Sequence, residues 1–136
     1  MEIIGYIERV DLAELELFGL DAKIDTGADS CSMHCDDIAV EGDKVTFTLQ
    51  DEVHSAYHGK RMSLPIYQIK NVKSSNGKSQ ERIFIKSSIK LGSKTYEAEI
   101  SLTNRKTMKY PMLIGRRFMA RRYLVDVSKK NMTKEK

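Results

Sequence analysis

Polar and apolar residues alternate over most of this chain, and the alternation breaks at clusters of Gly, Asp, Asn and Ser. A two-residue period marks strands with one buried face. It runs through Glu2 to Val10, where Ile4, Tyr6 and Ile7 are expected to face a core. Asp11 to Glu14 reads as a turn, and Leu15 to Phe18 as a second short strand or turn. Leu20 to Ile24 is a further strand and delivers the chain to Asp25. Cys31 to Cys35 is short and extended, and Asp36-Asp37 opens a loop. Gly42-Asp43 turns the chain into its clearest alternation, Lys44 to Leu49, with Val45, Phe47 and Leu49 on one side. Gln50 to Lys60 is polar and reads as a loop. Apolar residues return from Arg61 to Ile69, where Pro65, lacking an N–H, confines the stretch to a sheet edge or a bulge.

Asn76-Gly77 is the strongest hairpin signal in the chain. A second hairpin is expected about Gly92-Ser93. Arg82 to Ile89 places Ile83, Ile85 and Ser87 on one face and Phe84 on the other, and Thr95 to Leu102 aligns Tyr96, Ala98, Ile100 and Leu102. Asn104 to Tyr110 is a polar connection. Met112-Leu113-Ile114 is wholly apolar, as a central buried strand would be. Gly115 ends it, Arg116 to Ala120 suits a turn or two of helix, and Tyr123 to Val127 gives a last strand. Many short strands with polar turns and one brief helix predict an all-β, barrel-like domain over residues 1–128. Residues 129–136 are expected to be a disordered basic tail.

Composition adds limits. The chain has 136 residues, 40% of them apolar and 31% charged. That length buries enough surface for one domain to fold without a disulfide or a metal. No apolar run reaches the roughly eighteen residues of a membrane-spanning helix. The start lacks the pattern of a signal peptide, so the cytoplasm is expected. The net charge is +4, concentrated in Arg116-Arg117, Arg121-Arg122 and the tail. No basic motif interleaved with aromatics accompanies it, so nucleic acid is a poor candidate partner. The two cysteines, Cys31 and Cys35, are expected to stay reduced.

The chemistry gathers at Asp25-Thr26-Gly27-Ala28-Asp29-Ser30, where a strand ends on a carboxylate and Gly27 permits a sharp turn. One Asp held there by backbone N–H groups is an anion site, or simply the cap of a tight turn. Two side by side would share a proton and could activate water. The sequence has no second Asp-Thr-Gly or Asp-Ser-Gly, so a two-carboxylate site requires a homodimer. Cys31, His34, Cys35, His54 and His58 invite a zinc reading. Yet there is no His-Glu-x-x-His, and on a strand Cys31 and Cys35 would share a face while His34 points away. Neither a metal nor any other cofactor is expected. ATP has no support, because Ser75 to Ser79 is too short for a phosphate-cradling loop. Arg61, Lys73, Arg82, Arg105 and Arg116 are candidates to line a groove for acidic peptide.

Asp25-Thr26-Gly27-Ala28 resembles the active-site signature of aspartic proteases in their single-domain, retropepsin-like form. Pro111-Met112-Leu113-Ile114-Gly115-Arg116 resembles the apolar pair, Gly and Arg that precede the short C-terminal helix of that fold. A closer resemblance covers nearly the whole chain. Ile4-Gly5, Lys23 to Ala28, Met33-His34, Ser74 to Gly77, Leu91-Gly92, Leu102 to Arg105 and Leu113 to Arg117 resemble a family named for an ATP-dependent zinc protease. Its members often accompany ATP-grasp ligases that add glutamate to proteins.

The resemblance implies a closed barrel of the acid-protease type, a single retropepsin-like lobe with one short C-terminal helix. It implies Asp25, Thr26 and Gly27 as catalytic residues, and Ala28, Asp29, His34, Asn76, Gly77, Arg105 and Arg116 as substrate contacts. The Asn76-Gly77 hairpin would be the flap over the cleft, although with one Gly and a polar tip it departs from the glycine-rich, apolar retropepsin flap. The implied activity is peptide hydrolysis by an Asp25 dyad in a homodimer, on acidic or glutamylated peptides. The alternative is a non-catalytic peptide-binding module working with an ATP-grasp ligase.

Overall fold

Val45, Phe47 and Leu49, the apolar side of the clearest alternation, are all fully buried. The same two-residue logic builds most of the molecule. A computed structural model describes residues 1–50, 55–73, 77–104 and 109–133. Its strands are β1 (Glu2–Ile4), β2 (Ile7–Leu12), β3 (Leu17–Ile24), β4 (Cys31–His34), β5 (Asp36–Glu41) and β6 (Lys44–Thr48). They continue with β7 (Arg61–Pro65), β8 (Gln68–Lys73), β9 (Ser79–Leu91), β10 (Lys94–Thr103), β11 (Met112–Ile114) and β12 (Tyr123–Val125). A four-residue helix, α1 (Arg116–Met119), lies between the last two. The protein is thus mostly β with one short α-helix among the described residues, as the alternation predicts.

The largest sheet has the order β10-β4-β11-β3-β2-β9-β8. The β9 strand also pairs along its length with β10, and meets β2 at Asp11 opposite Lys90. The central three-residue β11 runs parallel to β3 and antiparallel to β4, and Met112 and Ile114 are fully buried between them. This is where a wholly apolar strand belongs, since it has no solvent edge. The strands β5, β6 and β7 form a separate antiparallel sheet, and β1 pairs in parallel with β12. One core of apolar side chains, including Leu17, Leu20, Met33, Ile85, Ile100 and Ile114, lies beneath. No helix among the described residues is long and apolar enough to cross a membrane.

Some elements depart from the sequence pattern for identifiable reasons. The stretch Glu2 to Val10 is two strands broken at Gly5, where a Cβ would stand 2.2 Å from the carbonyl oxygen of Lys129. The break turns Tyr6 outward, 39% exposed, whereas Ile4 and Ile7 are buried as expected. The loop expected at Asp36-Asp37 is β5 instead. Its register with β6 shifts between Asp36 and Ala39, and Asp37 has φ of 52°. This bulge scrambles the alternation that would otherwise identify a strand. Arg61 to Ile69 divides at Pro65, the last residue of the edge strand β7, and the chain then crosses to β8 in the larger sheet. Beyond β12, the Tyr6 N–H donates to the Lys129 carbonyl and the Asn131 N–H to the Ile7 carbonyl. Residues 129–133 are therefore attached to the start of β2.

Candidate active site

Asp25 stands where β3 leaves the sheet. Its N–H donates to the Ile114 carbonyl at 2.9 Å, continuing the parallel β3–β11 ladder by one rung. The chain then turns sharply, closed by the Ala28 N–H on the Asp25 carbonyl at 3.1 Å. Inside the turn the Gly27 N–H donates to the Asp25 Oδ1 at 3.0 Å. Asp25 is half-buried while Thr26 and Gly27 are exposed, so the carboxylate is held from below and open above.

The helix α1 braces the far side of this turn. The Arg116 N–H donates to the Ala28 carbonyl at 2.8 Å and the Arg117 N–H to the Asp29 carbonyl at 3.1 Å. The Arg116 guanidinium donates to the Thr26 carbonyl at 3.2 Å and lies 3.6 Å from the Asp29 carboxylate. Arg117 lies 3.2 Å from the same carboxylate and 3.8 Å from Glu99. Glu99 accepts a 3.1 Å hydrogen bond from Gln68, the first residue of β8. A polar chain therefore runs from the Asp25 turn to the base of the β8–β9 hairpin.

That hairpin is the one expected around Asn76-Gly77, and its arms pair from Gln68–Phe84 to Lys73–Ser79. A cleft of about 330 Å³ lies between it and the turn. Its walls include Ala28, Asp29 and Ser30 from the turn, and Lys70, Arg82 and Phe84 from the hairpin. Asp25 borders this cleft but is not part of its wall.

The structure thus brings together Asp25, Thr26, Gly27, Ala28, Asp29 and Arg116. Gly77 is exposed at the described end of the hairpin. Asn76 and Arg105 lie outside the described residues. His34 is 1% exposed, stacks on Tyr57, and receives the Tyr57 hydroxyl on its carbonyl. It sits under the surface rather than in the cleft wall. Arg61 is engaged elsewhere, donating to Thr46, Thr48 and the Asp37 carbonyl. The sequence reading does not single out Lys70, Gln68 or Glu99. The one signal for Lys70 is its position opposite Arg82 across the hairpin, which requires the register, whereas Gln68 and Glu99 lie opposite Phe84 and Lys86 and carry no such signal.

Zinc fits these residues poorly. Among the described residues, no three His, Cys, Asp or Glu side chains gather as a metal would need. Burial pushes the Cys31 thiol up to about 11 and, with the nearby Asp36 charge adding to it, Cys35 up to about 12. Both shifts oppose the thiolate that zinc binds. His34 lies 3.8 Å from Asp36, and His58 bonds the Leu15 carbonyl; His54 is outside the described residues.

A family model described as RimB-like, retropepsin-like aspartic endopeptidase RimB, matches residues 3–136. The chain belongs to the RimB-like family. This keeps the retropepsin relationship expected from the Asp-Thr-Gly signature and replaces the zinc-protease name, which nothing else here supports. A protein of Shewanella pealeana named "Probable alpha-L-glutamate ligase" is 38% identical over 130 residues, covering 93% of this chain. A protein of the same name from Parasynechococcus marenigrum is 31% identical over 128 residues. The chain spans 28% of the length of each of these relatives. A crystal structure of a protein of unknown function from Legionella pneumophila superposes with a TM-score of 0.79 at 28% identity, over 98% of each chain.

Proposed function

We propose that this RimB-like protein is an aspartic peptidase that cuts acidic or glutamylated peptides, using one Asp25 from each subunit of a homodimer. The lobe is read as a closed retropepsin-like barrel, for which the pairing of β9 with both β2 and β10 is the support. The observation that carries the reading is the Asp25 carboxylate itself. A backbone N–H holds one of its oxygens on an exposed turn that α1 braces from behind, in a chain of an aspartic endopeptidase family.

In the dimer the two carboxylates hold one proton between them. The ionised Asp25 takes a proton from water as the water oxygen bonds to the peptide carbonyl carbon. The protonated Asp25 gives its proton to the carbonyl oxygen. Collapse of that intermediate breaks the C–N bond, and the amine leaves with a proton returned by the dyad. Thr26 and Gly27 set the carboxylate position, and Asp29 and Arg116 fix the turn beside the substrate. The β8–β9 hairpin serves as the flap.

A second reading is favoured by one observation: the relatives named as glutamate ligases contain a segment like this chain within much longer proteins. The domain would then grip an acidic peptide for a ligase partner without cutting it. Incubation with oligo-glutamyl peptides, followed by mass spectrometry, separates the two. The peptidase reading expects cleavage by the wild-type chain and none by Asp25→Asn, with a dimer in solution. Intact peptide with both chains, or equal cleavage by both, would overturn it.

A further inference from the structure

The cleft between the Asp25 turn and the hairpin carries an uneven charge. Lys70 and Arg82 are cations in its wall, and Asp29 is the anion. Asp29 already has Arg116 and Arg117 against it. Among the described lining residues the cations therefore outnumber the carboxylates, two to one.

Lys70 and Arg82 are directly opposite each other across β8 and β9, so their side chains leave the same face of the hairpin. Phe84 follows on that face, and the Lys70 ammonium stands 5.2 Å from the centre of its ring. Both cations are half-buried, where the attraction for an anion is less screened than on open surface. The remaining walls offer hydroxyls from Ser30 and Ser32 and apolar surface from Leu113, while the Ser101 and Thr103 hydroxyls already donate to the Cys31 and Met33 carbonyls. This is a lining for a carboxylate on a short methylene stem. The stem meets the apolar surface, and the carboxylate meets ammonium, guanidinium and hydroxyl donors. A nucleic-acid strand is a poorer occupant, since Phe84 is the aromatic in the wall and Lys70 already covers it.

We propose that Lys70 and Arg82 form a carboxylate-binding subsite that selects an acidic residue beside the bond positioned at Asp25. The cleft starts at Ala28, just past Asp25 in the turn, so a side chain seated there is next to the reacting group rather than on it. The inference rests on the peptidase reading for the bond that is cut, but the selection it describes is a matter of binding.

The test uses the full chain carrying Asp25→Asn, which removes turnover, and measures fluorescence anisotropy of labelled oligo-glutamate and matched oligo-glutamine peptides at low salt. The expected result is a preference of about tenfold for glutamate, the size of one charge-assisted hydrogen bond. Lys70→Gln and Arg82→Gln should each cut that preference severalfold, and Arg82→Lys should restore part of it. Lys44→Gln, which removes an exposed cation outside the cleft, should leave it unchanged. Unaltered melting temperatures confirm that the variants are folded. Equal binding of the two peptides would overturn the subsite, as would a glutamate preference untouched by Lys70→Gln and Arg82→Gln. A short single-stranded oligonucleotide of equal charge that binds as tightly as oligo-glutamate would overturn it too. Retained preference alongside a wild-type chain that cuts nothing would leave the subsite standing and remove the peptidase reading instead.

Discussion

Gly115 and Ser30 are packed backbone against backbone: a Cβ at Gly115 would stand 2.5 Å from the Ser30 carbonyl oxygen and 2.9 Å from its nitrogen. Gly115 precedes α1 as its N-cap, directly after β11, while Ser30 lies between the Asp25 turn and β4. The contact explains why a glycine separates an apolar strand from an arginine-led helix here. It lets the two halves of the site approach closely enough for Arg116 and Arg117 to hydrogen-bond the turn.

Replacing Gly115 with Ala should therefore push the turn and α1 apart. Neither backbone can yield as a flexible side chain would, so the cost should be about 3 kcal/mol, at the upper end for overpacking. Urea denaturation gives this number, and loss of peptide cleavage should accompany it. A stability within about 0.5 kcal/mol of wild type, the range of ordinary surface changes, would show that the approach is looser than described.

Glu8 is fully buried, and its carboxylate collects the C-terminal segment. One oxygen accepts from the Gly5 N–H at 2.7 Å and the Met132 N–H at 3.0 Å. The other accepts from the Thr133 N–H at 3.1 Å and the Thr133 hydroxyl at 2.8 Å. Glu8→Ala strands these donors and should cost about 3 kcal/mol. Glu8→Gln turns one acceptor into a donor facing N–H groups, and should fall between Ala and wild type. Hydrogen exchange should report faster amides at Met132 and Thr133 in both variants. Unchanged exchange there would mean that Glu8 does not hold the segment.

These relationships also show where the sequence was readable and where it was not. Val45, Phe47 and Leu49 announced their strand because all three meet the core and alternate with polar residues, with an unbroken register against β7. Asp25 and Gly115 were found because each sits in a short motif whose chemistry is local. No motif marks Glu8; its C-terminal partners Met132 and Thr133 lie 124 and 125 residues away, where no local pattern reaches. Lys70 was missed for a subtler reason. A two-residue turn at Asn76-Gly77 would set Lys70 opposite Ile83, but the observed pairing is with Arg82. A slip of one residue exchanges the two faces of a strand, so the cleft cation could not be assigned before the register was known.

The ion pairs around Asp29 should matter little to stability. Arg116, Arg117 and Asp29 are each more than half exposed, so solvent screens them. Arg117→Gln should shift the unfolding free energy by less than about 1 kcal/mol. The backbone bonds from Arg116 and Arg117 to the turn remain in that variant, and these carry the geometry. A larger loss in urea denaturation would show that the Glu99–Arg117–Asp29 chain is a structural strut.

Cys31 and Cys35 set a limit at alkaline pH. Burial raises both thiols above the ordinary value of 9.0, to about 11 and about 12. The folded chain therefore keeps two protons that the unfolded chain gives up first. Between the two sets of values the unfolded state binds fewer protons, so stability falls as pH rises. The contribution is complete below about 9 and is lost as pH climbs through 11 and 12. Urea midpoints should hold steady up to about that lower value and decline above it, and the decline should be shallower in the Cys31→Ala, Cys35→Ala double variant. Thiol labelling gives an independent check. Thiolate is the reactive form, so the native chain at about pH 8.5 should label roughly a hundredfold more slowly than the chain unfolded in urea. Rapid labelling of the native protein would mean that these thiols are neither buried nor held protonated.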